Sequence, residues 1–262
     1  MLAQNSNLAG VLGYMLLPHA NANAAFQRAG MLFYKTVGIV ANREQATVRL
    51  SEQLQAADIP YALVKGAALS RIYPAKELRT GGDVDVLVPP AYRERLEALV
   101  ADNQDQILHA DAGQLCISRP PLFVEFHFTL EADAVAGATV ALRGLLHDPA
   151  PYMTTWEGVQ TVQPLYHFVY LLAHQQHHFE EDSPGIRSFL DLAVWLHHGL
   201  PFSRDELEEV LQRVGLYAYA QKVLTLTAHW FGVLSPLPTV EIPAADVAFL
   251  ENYLFDVGQF AT

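Results

Sequence analysis

Cysteine and positive charge are both scarce in this sequence. The single cysteine among 262 residues, Cys116, excludes a disulfide framework and a zinc site built from cysteines. It stands between Leu115 and Ile117, which predict a strand with a buried thiol. Sixteen Lys and Arg residues stand against 28 Asp and Glu residues, giving a net charge of −12. Because duplex DNA and bulk RNA are bound through many Lys and Arg contacts to phosphate, this charge argues against both partners.

Long apolar runs are missing as well. No stretch approaches the roughly 18 to 20 apolar residues that a membrane span requires. No basic segment precedes the short apolar run at residues 11–17, which Pro18 ends, so no signal peptide is predicted. Hydrophobic residues nevertheless make up 51% of the chain and charged residues 17%, which is typical of a globular protein. We therefore expect a cytoplasmic protein without a membrane partner.

The segment 61–88 has the strongest chemical pattern in the chain. Residues 61–64 predict a buried strand, Lys65 and Gly66 a turn, and residues 67–72 the start of a helix. A polar loop then leads into a second strand, which carries two acids.

These two acids are Asp83 and Asp85. At positions i and i+2 of a strand, their side chains point to the same face. Two carboxylates this close raise one another's pKa unless a cation lies between them, and hard cations such as Mg²⁺ prefer oxygen ligands. The pair therefore predicts a Mg²⁺ site, with Mn²⁺ as the other candidate. The competing interpretation is that both acids only solvate the edge of a strand.

A third acid follows in residues 122–128. This run predicts a strand with Glu125 and His127 on one face and phenylalanines on the other. A carboxylate in such an apolar run is costly without a partner. Glu125 is therefore expected to converge with Asp83 and Asp85 at neighbouring strand ends and to hold two metal ions.

These elements together resemble the DNA polymerase beta-like nucleotidyltransferase superfamily, and more closely the bacterial nucleotidyltransferase family proteins. That group has a Lys-Gly turn, a Tyr-Pro pair, an Arg, a D-x-D strand and a later E-x-H strand. The matching residues here are Lys65-Gly66-Ala67-Ala68-Leu69, Tyr73-Pro74, Arg79, Asp83-Val84-Asp85-Val86-Leu87-Val88 and Glu125-Phe126-His127. The similarity continues into LLAHQQHHF and IRSFLDLAVWL, and so spans roughly residues 55 to 215. Proteins of this group tend to be longer than 262 residues, so the sequence does not decide whether the C-terminus is complete.

The resemblance implies that Asp83, Asp85 and Glu125 are the catalytic and metal-binding residues. Two positions depart from the wider superfamily. Ala67 stands where a Ser is usual, so backbone N–H groups must contact the phosphate there. The third acid, Glu125, is a Glu instead of the commoner Asp, which changes its reach.

Four residues around the turn are expected to bind the nucleotide. Gly66 allows close approach of a phosphate, and the helix that begins at Ala67 offers it backbone N–H groups. Lys65 either neutralises phosphate charge or only caps the turn. Arg79 is placed to hold a triphosphate with its planar fork, against the simpler interpretation of a solvated loop charge.

Further candidates lie around the acids and in the C-terminal half. His127 could orient Glu125 or a metal-bound water, or be an ordinary core histidine. The resemblance places His174 in the cleft. Arg187 and Asp191, at i and i+4, either pair with each other or serve the acceptor side.

A different class of site remains open at the histidines. His174 and His178 stand at i and i+4, so one helix face could present both to a transition metal, with Asp182 or Asp191 completing the site. No HExxH or other closed ligand pattern follows, so we rank this metallohydrolase hypothesis below the transferase.

The predicted fold is α+β. It consists of a polymerase-beta-like nucleotidyltransferase core, a small mixed sheet with helices, and an α-helical C-terminal domain. The expected division is N-terminal helices at 1–57, the core at 58–130, a linker region at 131–162, and the helical domain at 163–262. Residues 20–57 predict two helices, and 142–147 a short one.

The predicted function is metal-dependent transfer of a nucleoside monophosphate from an NTP, for instance ATP, to a small-molecule, peptide or protein acceptor. The alternative is an inactive nucleotide-binding or structural module, which would bind NTP regardless of Glu125. The residues do not choose the NTP, the acceptor or the oligomeric state.

Overall fold

A computed structural model describes residues 9–16, 18, 24–128, 149–181 and 185–256. Within these ranges the chain forms nine α-helices and seven strands. The helices are α1 (Ala9–Leu16), α2 (Ala24–Ala56), α3 (Gly66–Leu69), α4 (Arg93–Asp102), α5 (Pro164–Glu181), α6 (Ile186–His198), α7 (Arg204–Arg213), α8 (Tyr217–Phe231) and α9 (Ala244–Asp256). The strands are β1 (Ala62–Leu63), β2 (Val84–Leu87), β3 (Gln106–Ala110), β4 (Gln114–Arg119), β5 (Leu122–His127), β6 (Met153–Trp156) and β7 (Val159–Val162).

The described residues divide into two compact units. The first contains residues 9–128 and 149–163, apart from the gaps given above, and the second contains residues 164–181 and 185–256. The first is mixed α and β and the second is helical. The chain is therefore an α+β protein, as the sequence predicts.

A five-stranded mixed sheet organises the first unit, in the order β1-β2-β5-β4-β3. Its one parallel pair is β2 with β5, and the other neighbours are antiparallel. The chain reaches β5 from β2 through α4 and the β3–β4 hairpin, which lets two strands distant in sequence lie side by side. This pairing brings the D-x-D and E-x-H segments together.

One face of the sheet is buried in the core of this unit. Along β5 the residues alternate, with Leu122, Val124 and Phe126 buried on the core face and Phe123 exposed on the other. The helices α2 and α4 cover the core face. Core residues from the two helices and the sheet are Leu50, Leu54, Leu96, Val100, Val84, Val86, Ile117, Val124 and Phe126. The opposite face is left to carry polar side chains.

The prediction of two helices in residues 20–57 is wrong, because α2 is one helix of 33 residues. No proline interrupts Ala24–Ala56, and its two internal glycines remain within the helix. The predicted end at Asp58 is confirmed: Asp58 has φ 45°, and the Ile59 N–H donates to the Leu54 carbonyl at 2.9 Å. The buried side chains of α2 in the core show that this helix packs on the sheet.

The region 131–162, expected to be a linker, contains a hairpin at its C-terminal end that the sequence does not predict. Strands β6 and β7 pair there as an antiparallel hairpin, with Trp156 opposite Val159. The two loop residues, Glu157 and Gly158, both have positive φ, 48° and 77°, as a type I′ turn requires. Glu in place of the usual Asn or Asp concealed this turn in the sequence. The short helix predicted at 142–147 lies outside the described residues.

The second unit contains the helices that the sequence predicts from Pro164 onward. Ser203 begins α7 with a capping box: the Glu206 N–H donates to the Ser203 hydroxyl, and the Ser203 N–H donates to the Glu206 carboxylate. Trp195 of α6 is fully buried, edge-on to Phe168 with ring centroids 5.5 Å apart. No helix in the described ranges combines the length and apolar character of a membrane span.

Candidate functional site

The site lies on the face of the sheet opposite the core. Asp85 of β2 is the direct register partner of Glu125 of β5, and Leu87 is the partner of His127. On the other side of Glu125, Cys116 of β4 is its partner. Since side chains alternate along a strand, Asp85, Glu125, His127 and Cys116 all point to this face.

Asp85 is buried and lies between two cationic or donor groups. The Lys65 ammonium is 2.8 Å from Asp85 Oδ1, and His127 Nε2 is 3.0 Å from the same oxygen. Burial alone would raise the pKa of Asp85. The Lys65 charge and the His127 hydrogen bond outweigh it and hold the pKa well below its usual range. Asp85 is therefore a fixed negative charge at the centre of the site.

Glu125 has the opposite shift. Its side chain is 36% exposed and its Oε2 is 3.7 Å from His127 Nε2. Burial, followed by the charges of Asp85 and Asp83, raises its pKa, although Lys65 and His127 act against them. Two neighbouring carboxylates thus have pKa values pushed apart, which is typical of catalytic sites.

Asp85, Glu125 and His127 form the cluster best suited to a metal ion in the described part of the chain. One potential ligand atom from each lies within 4.8 Å of the others. The two carboxylates supply the oxygen ligands that Mg²⁺ and Mn²⁺ prefer, and the His127 imidazole, in hydrogen-bond contact with Asp85, would orient them. Burial, and then the charges of Asp85 and Asp83, raise the pKa of Glu125, and a bound cation would relieve the repulsion among these acids. The residues present therefore fit a divalent cation.

Asp83 lies just before β2 and is exposed. It is not part of the cluster of three, yet its charge contributes to the raised pKa of Glu125. Asp83 and Asp85 were expected to form an equivalent pair, but the structure gives the two carboxylates different environments. Asp85 sits inside the strand and is buried, whereas Asp83 precedes it and faces solvent. The role of Asp83 as a metal ligand stays a prediction.

The predicted nucleotide-binding turn places Lys65 and Arg79 around Gly66. The left-handed backbone of the turn falls on Lys65, with φ 50°, and not on the glycine. Gly66 instead provides space for Arg79, because a Cβ there would lie 3.1 Å from the guanidinium carbon, closer than an ordinary contact. Arg79 Nη1 also donates to the Thr80 carbonyl at 3.0 Å. Ala67, half-buried, follows in the four-residue helix α3.

The contact of Lys65 with Asp85 gives this lysine a role beyond the two considered from the sequence, which were neutralising phosphate charge and capping the turn. A non-glycine residue in a left-handed conformation is unfavourable by about 1 kcal/mol or more. Here the conformation aims the ammonium at a buried carboxylate, which stabilises both charges. Lys65 thus links the turn to the acids, in addition to any contact with phosphate.

Arg43 is a neighbour of the site that the sequence analysis did not single out. It lies on α2, half-buried, and its Nη1 donates to the Gly81 carbonyl. Burial lowers its pKa and the nearby charge of Asp83 raises it. In the sequence Arg43 stands between Asn42 and Glu44 in a polar stretch of a long helix, a pattern that is too common to be informative.

Cys116 departs from the prediction of a buried thiol, because it is only partly buried on the same face as Glu125. Burial and then the charge of Glu125 raise its pKa, which keeps the thiol protonated and unreactive at neutral pH.

The remaining candidates belong to the second unit. His174 lies on α5, with its Nε2 2.9 Å from Nε2 of His178. Arg187 and Asp191 lie on α6, where Asp191 is buried. Among the described residues, no cluster of three potential metal ligands includes either histidine. Their roles at the acceptor side stay predictions.

Three comparisons with known proteins bear on this geometry. The profile of a family described as "Uncharacterised nucleotidyltransferase" matches residues 2–232. A comparison with curated proteins found no match. Among solved structures, the antibiotic-resistance factor ANT(2'')-Ia is similar, with 13% identity, a TM-score of 0.46, and coverage of 69% of this chain and 94% of that one. A crystal structure from H. pylori described as a candidate nucleotidyltransferase has 15% identity, a TM-score of 0.40, and coverage of 85% and 94%.

The family match extends over most of the chain, including the Lys-Gly turn and both acid-bearing strands. The chain belongs to the uncharacterised nucleotidyltransferase family.

Proposed function

We propose that the protein transfers a nucleoside monophosphate from an NTP to a hydroxyl or phosphate oxygen of an acceptor. The observation that carries this proposal is the parallel pairing that sets Asp85 opposite Glu125, one with a lowered and the other with a raised pKa. The family match supports it. A cytoplasmic enzyme that uses ATP or another NTP is consistent with the composition.

The reaction forms one bond and breaks one. The acceptor oxygen bonds to the α-phosphorus, and the bond from that phosphorus to the bridging oxygen breaks, so that pyrophosphate leaves with the electron pair. A proton on the attacking hydroxyl passes to Glu125, whose side chain is 36% exposed and so more accessible than that of Asp85, which is 5% exposed. Asp85 stays ionised throughout, because its pKa is lowered.

A divalent cation fits this site. Held by Asp85 and Glu125, with Asp83 as a further ligand, one or two Mg²⁺ ions would neutralise triphosphate charge and make the acceptor oxygen easier to deprotonate. His127, between the two clustered acids, would hold both carboxylates in place.

The turn around Gly66 supplies the positive charge for the triphosphate. Arg79, packed over Gly66, offers a planar fork of donors. The Lys65 ammonium neutralises the Asp85 carboxylate in the described structure. With a cation bound at Asp85, the ammonium would instead be available to bind the phosphates. Since α3 has four residues, we assign less of the phosphate binding to a helix dipole than the sequence suggests.

Titration calorimetry of each NTP with Mg²⁺ tests the proposal. Wild type should bind at least one NTP only when Mg²⁺ is present. The double variant Asp83→Asn/Asp85→Asn should weaken that binding by about tenfold or more, since two charged ligands are lost. Asp102→Asn, the same change at an exposed helical position, should bind as wild type does. Absence of binding by any NTP to folded wild type would overturn the proposal.

Replacing Gly66 by Ala should weaken Mg²⁺–NTP binding by about fivefold to tenfold, which corresponds to roughly 1 to 1.4 kcal/mol. The new Cβ lies 3.1 Å from the Arg79 guanidinium, which must shift by a few tenths of an ångström and so lose its alignment for the triphosphate. Gly38→Ala is the matched control, because a Cβ at this helical position has no neighbour within 4 Å. It should leave the affinity unchanged and raise stability by about 0.5 to 1 kcal/mol. Equal affinities of the two variants would contradict the role of Arg79.

A further inference from the structure

A cavity of about 360 Å³ lies in the first unit, directly beside the acids. Its lining residues are Ile39, Asn42, Arg43, Gly82, Pro121 and Phe123. Its volume is at the lower end of the range of small-molecule pockets, about 300 to 1,000 Å³. The nucleotide-binding and catalytic residues described above do not line it.

Two of its walls are continuous with the catalytic site. Gly82 immediately precedes Asp83, and Phe123 lies two residues before Glu125 on the same face of β5. Consecutive side chains on one face of a strand are about 7 Å apart. A molecule seated against Phe123 therefore extends to Glu125 within the length of a few bonds.

The lining of the cavity combines apolar side chains with one cation. Ile39 and Phe123 are 47% and 54% exposed, although both are large and hydrophobic. Burying such side chains under a ligand is favourable by about 25 cal/mol per Å² of apolar area. Arg43 is half-buried beside them and makes one described hydrogen bond, to the Gly81 carbonyl, out of the five N–H groups of a guanidinium. The other N–H groups suit an oxygen of a ligand.

We infer that this cavity is the subsite for the acceptor, and that the acceptor is a small molecule with an apolar ring or chain next to an oxygen-bearing group. This inference rests on the proposed function. The ring or chain packs on Phe123 and Ile39, and Arg43 donates to the oxygen-bearing group. The oxygen that attacks the α-phosphorus then lies on the Glu125 side. The volume of about 360 Å³ matches a small molecule, and this is the occupant that we assign to the cavity.

Fluorescence titration with 8-anilinonaphthalene-1-sulfonate tests the subsite, since this probe has aromatic rings next to a sulfonate. Wild type should bind one equivalent. Phe123→Ser and Ile39→Ser should each weaken binding by about tenfold, and Arg43→Gln by about fivefold. Leu108→Ser, at an equally exposed apolar residue on β3, should bind as wild type does. Circular dichroism and thermal unfolding check that each variant is folded, because the probe also binds loosened proteins.

The same titration with saturating Mg²⁺–NTP separates an acceptor subsite from a nucleotide subsite. Simultaneous binding of probe and NTP, with each affinity changed by less than about twofold, supports the inference. Displacement of the probe by NTP would assign the cavity to the nucleotide and overturn it. Equal binding by wild type and Phe123→Ser would also overturn it. If folded wild type binds the probe but no NTP, the transferase proposal fails, and the acceptor role fails with it, while the apolar site itself stands.

Discussion

Replacing Glu125 by Gln is expected to lower nucleotidyl transfer by about 10³-fold, within the range that general-base groups contribute. Gln keeps the size of the side chain but neither accepts a proton nor binds a cation with charge. Glu125 is the direct strand partner of Asp85, so no other carboxylate in the cluster takes its place. Asp85 is held ionised by Lys65 and His127, and its lowered pKa makes it a poor base.

The same substitution should not destabilise the metal-free protein. A raised pKa means that folding favours the protonated form of Glu125. Its favourable contribution is present below the unfolded-state pKa and is lost as the pH rises through the folded-state pKa. At neutral pH the wild type therefore carries the cost of burying the Glu125 charge and its repulsion by Asp85 and Asp83, and Glu125→Gln removes both. We expect a gain of up to about 1 kcal/mol in the free energy of unfolding, small because the side chain is partly exposed.

Two measurements check this prediction. Release of pyrophosphate from Mg²⁺–NTP gives the rate, and urea unfolding without metal at several pH values gives the stability. The advantage of Glu125→Gln should be largest at neutral pH, shrink as the pH falls, and vanish below about pH 3, where the wild-type carboxyl is protonated in both states. Glu52→Gln, the same change at an exposed position of α2, should alter neither quantity.

The outcome also separates the enzyme from an inactive nucleotide-binding module. If the protein is an inactive module, wild type and Glu125→Gln should bind NTP equally well. Neither should then release pyrophosphate. Full activity of Glu125→Gln would remove Glu125 from the mechanism. Loss of activity together with a loss of stability would indicate a structural role instead.

The period-two patterns predicted the two acid-bearing strands, and these strands do place Asp85 and Glu125 side by side. That the acids bind a metal ion stays a prediction. The parallel register of Asp85 with Glu125 could not be predicted from the local patterns. This register depends on how α4 and the β3–β4 hairpin, which connect the two strands, pack in the fold. The contact of Lys65 with Asp85 was also hidden, since it depends on a left-handed backbone at a lysine, which sequence patterns do not favour.

Long-range neighbours were the other omission. Arg43 is 40 residues before Asp83 in the chain and reaches it only because α2 is one unbroken helix packed against the sheet. The acceptor cavity lies between α2 and the start of β5, and both segments contribute to its lining. Neither segment alone therefore predicts the cavity. Local patterns thus located the acids, and the tertiary fold supplied their surroundings.

Replacing Arg119 by Ala is expected to destabilise the first unit by about 3 kcal/mol, the lower end of the range for breaking a buried ion pair. Arg119 Nε donates to Asp105 Oδ1 at 2.7 Å, its Nη2 donates to Oδ2, and its Nη1 donates to Gln53 Oε1 at 2.6 Å. The Asp105 side chain is 5% exposed and Arg119 is 19% exposed. Ala would leave a buried carboxylate without its counter-charge.

The location of Arg119 explains why stability and activity should separate. It ties β4 to α2 through Gln53 and to the start of β3 through Asp105, away from the cluster of Asp85 and Glu125. Urea unfolding followed by tryptophan fluorescence and circular dichroism should show a lower midpoint. Under native conditions, the rate of pyrophosphate release per folded molecule should stay within about twofold of wild type.

An exposed ion pair provides the matched control. Arg95 lies 3.2 Å from Asp58, with side chains 52% and 85% exposed, so Arg95→Ala should change stability by less than about 0.5 kcal/mol. The double variant Arg119→Leu/Asp105→Leu should recover much of the loss of Arg119→Ala, because it removes the unpaired charge as well as the pair. If Arg119→Ala and Arg95→Ala had equal small effects, the Asp105 carboxylate must have regained water, and the pair would contribute no more than a surface contact does.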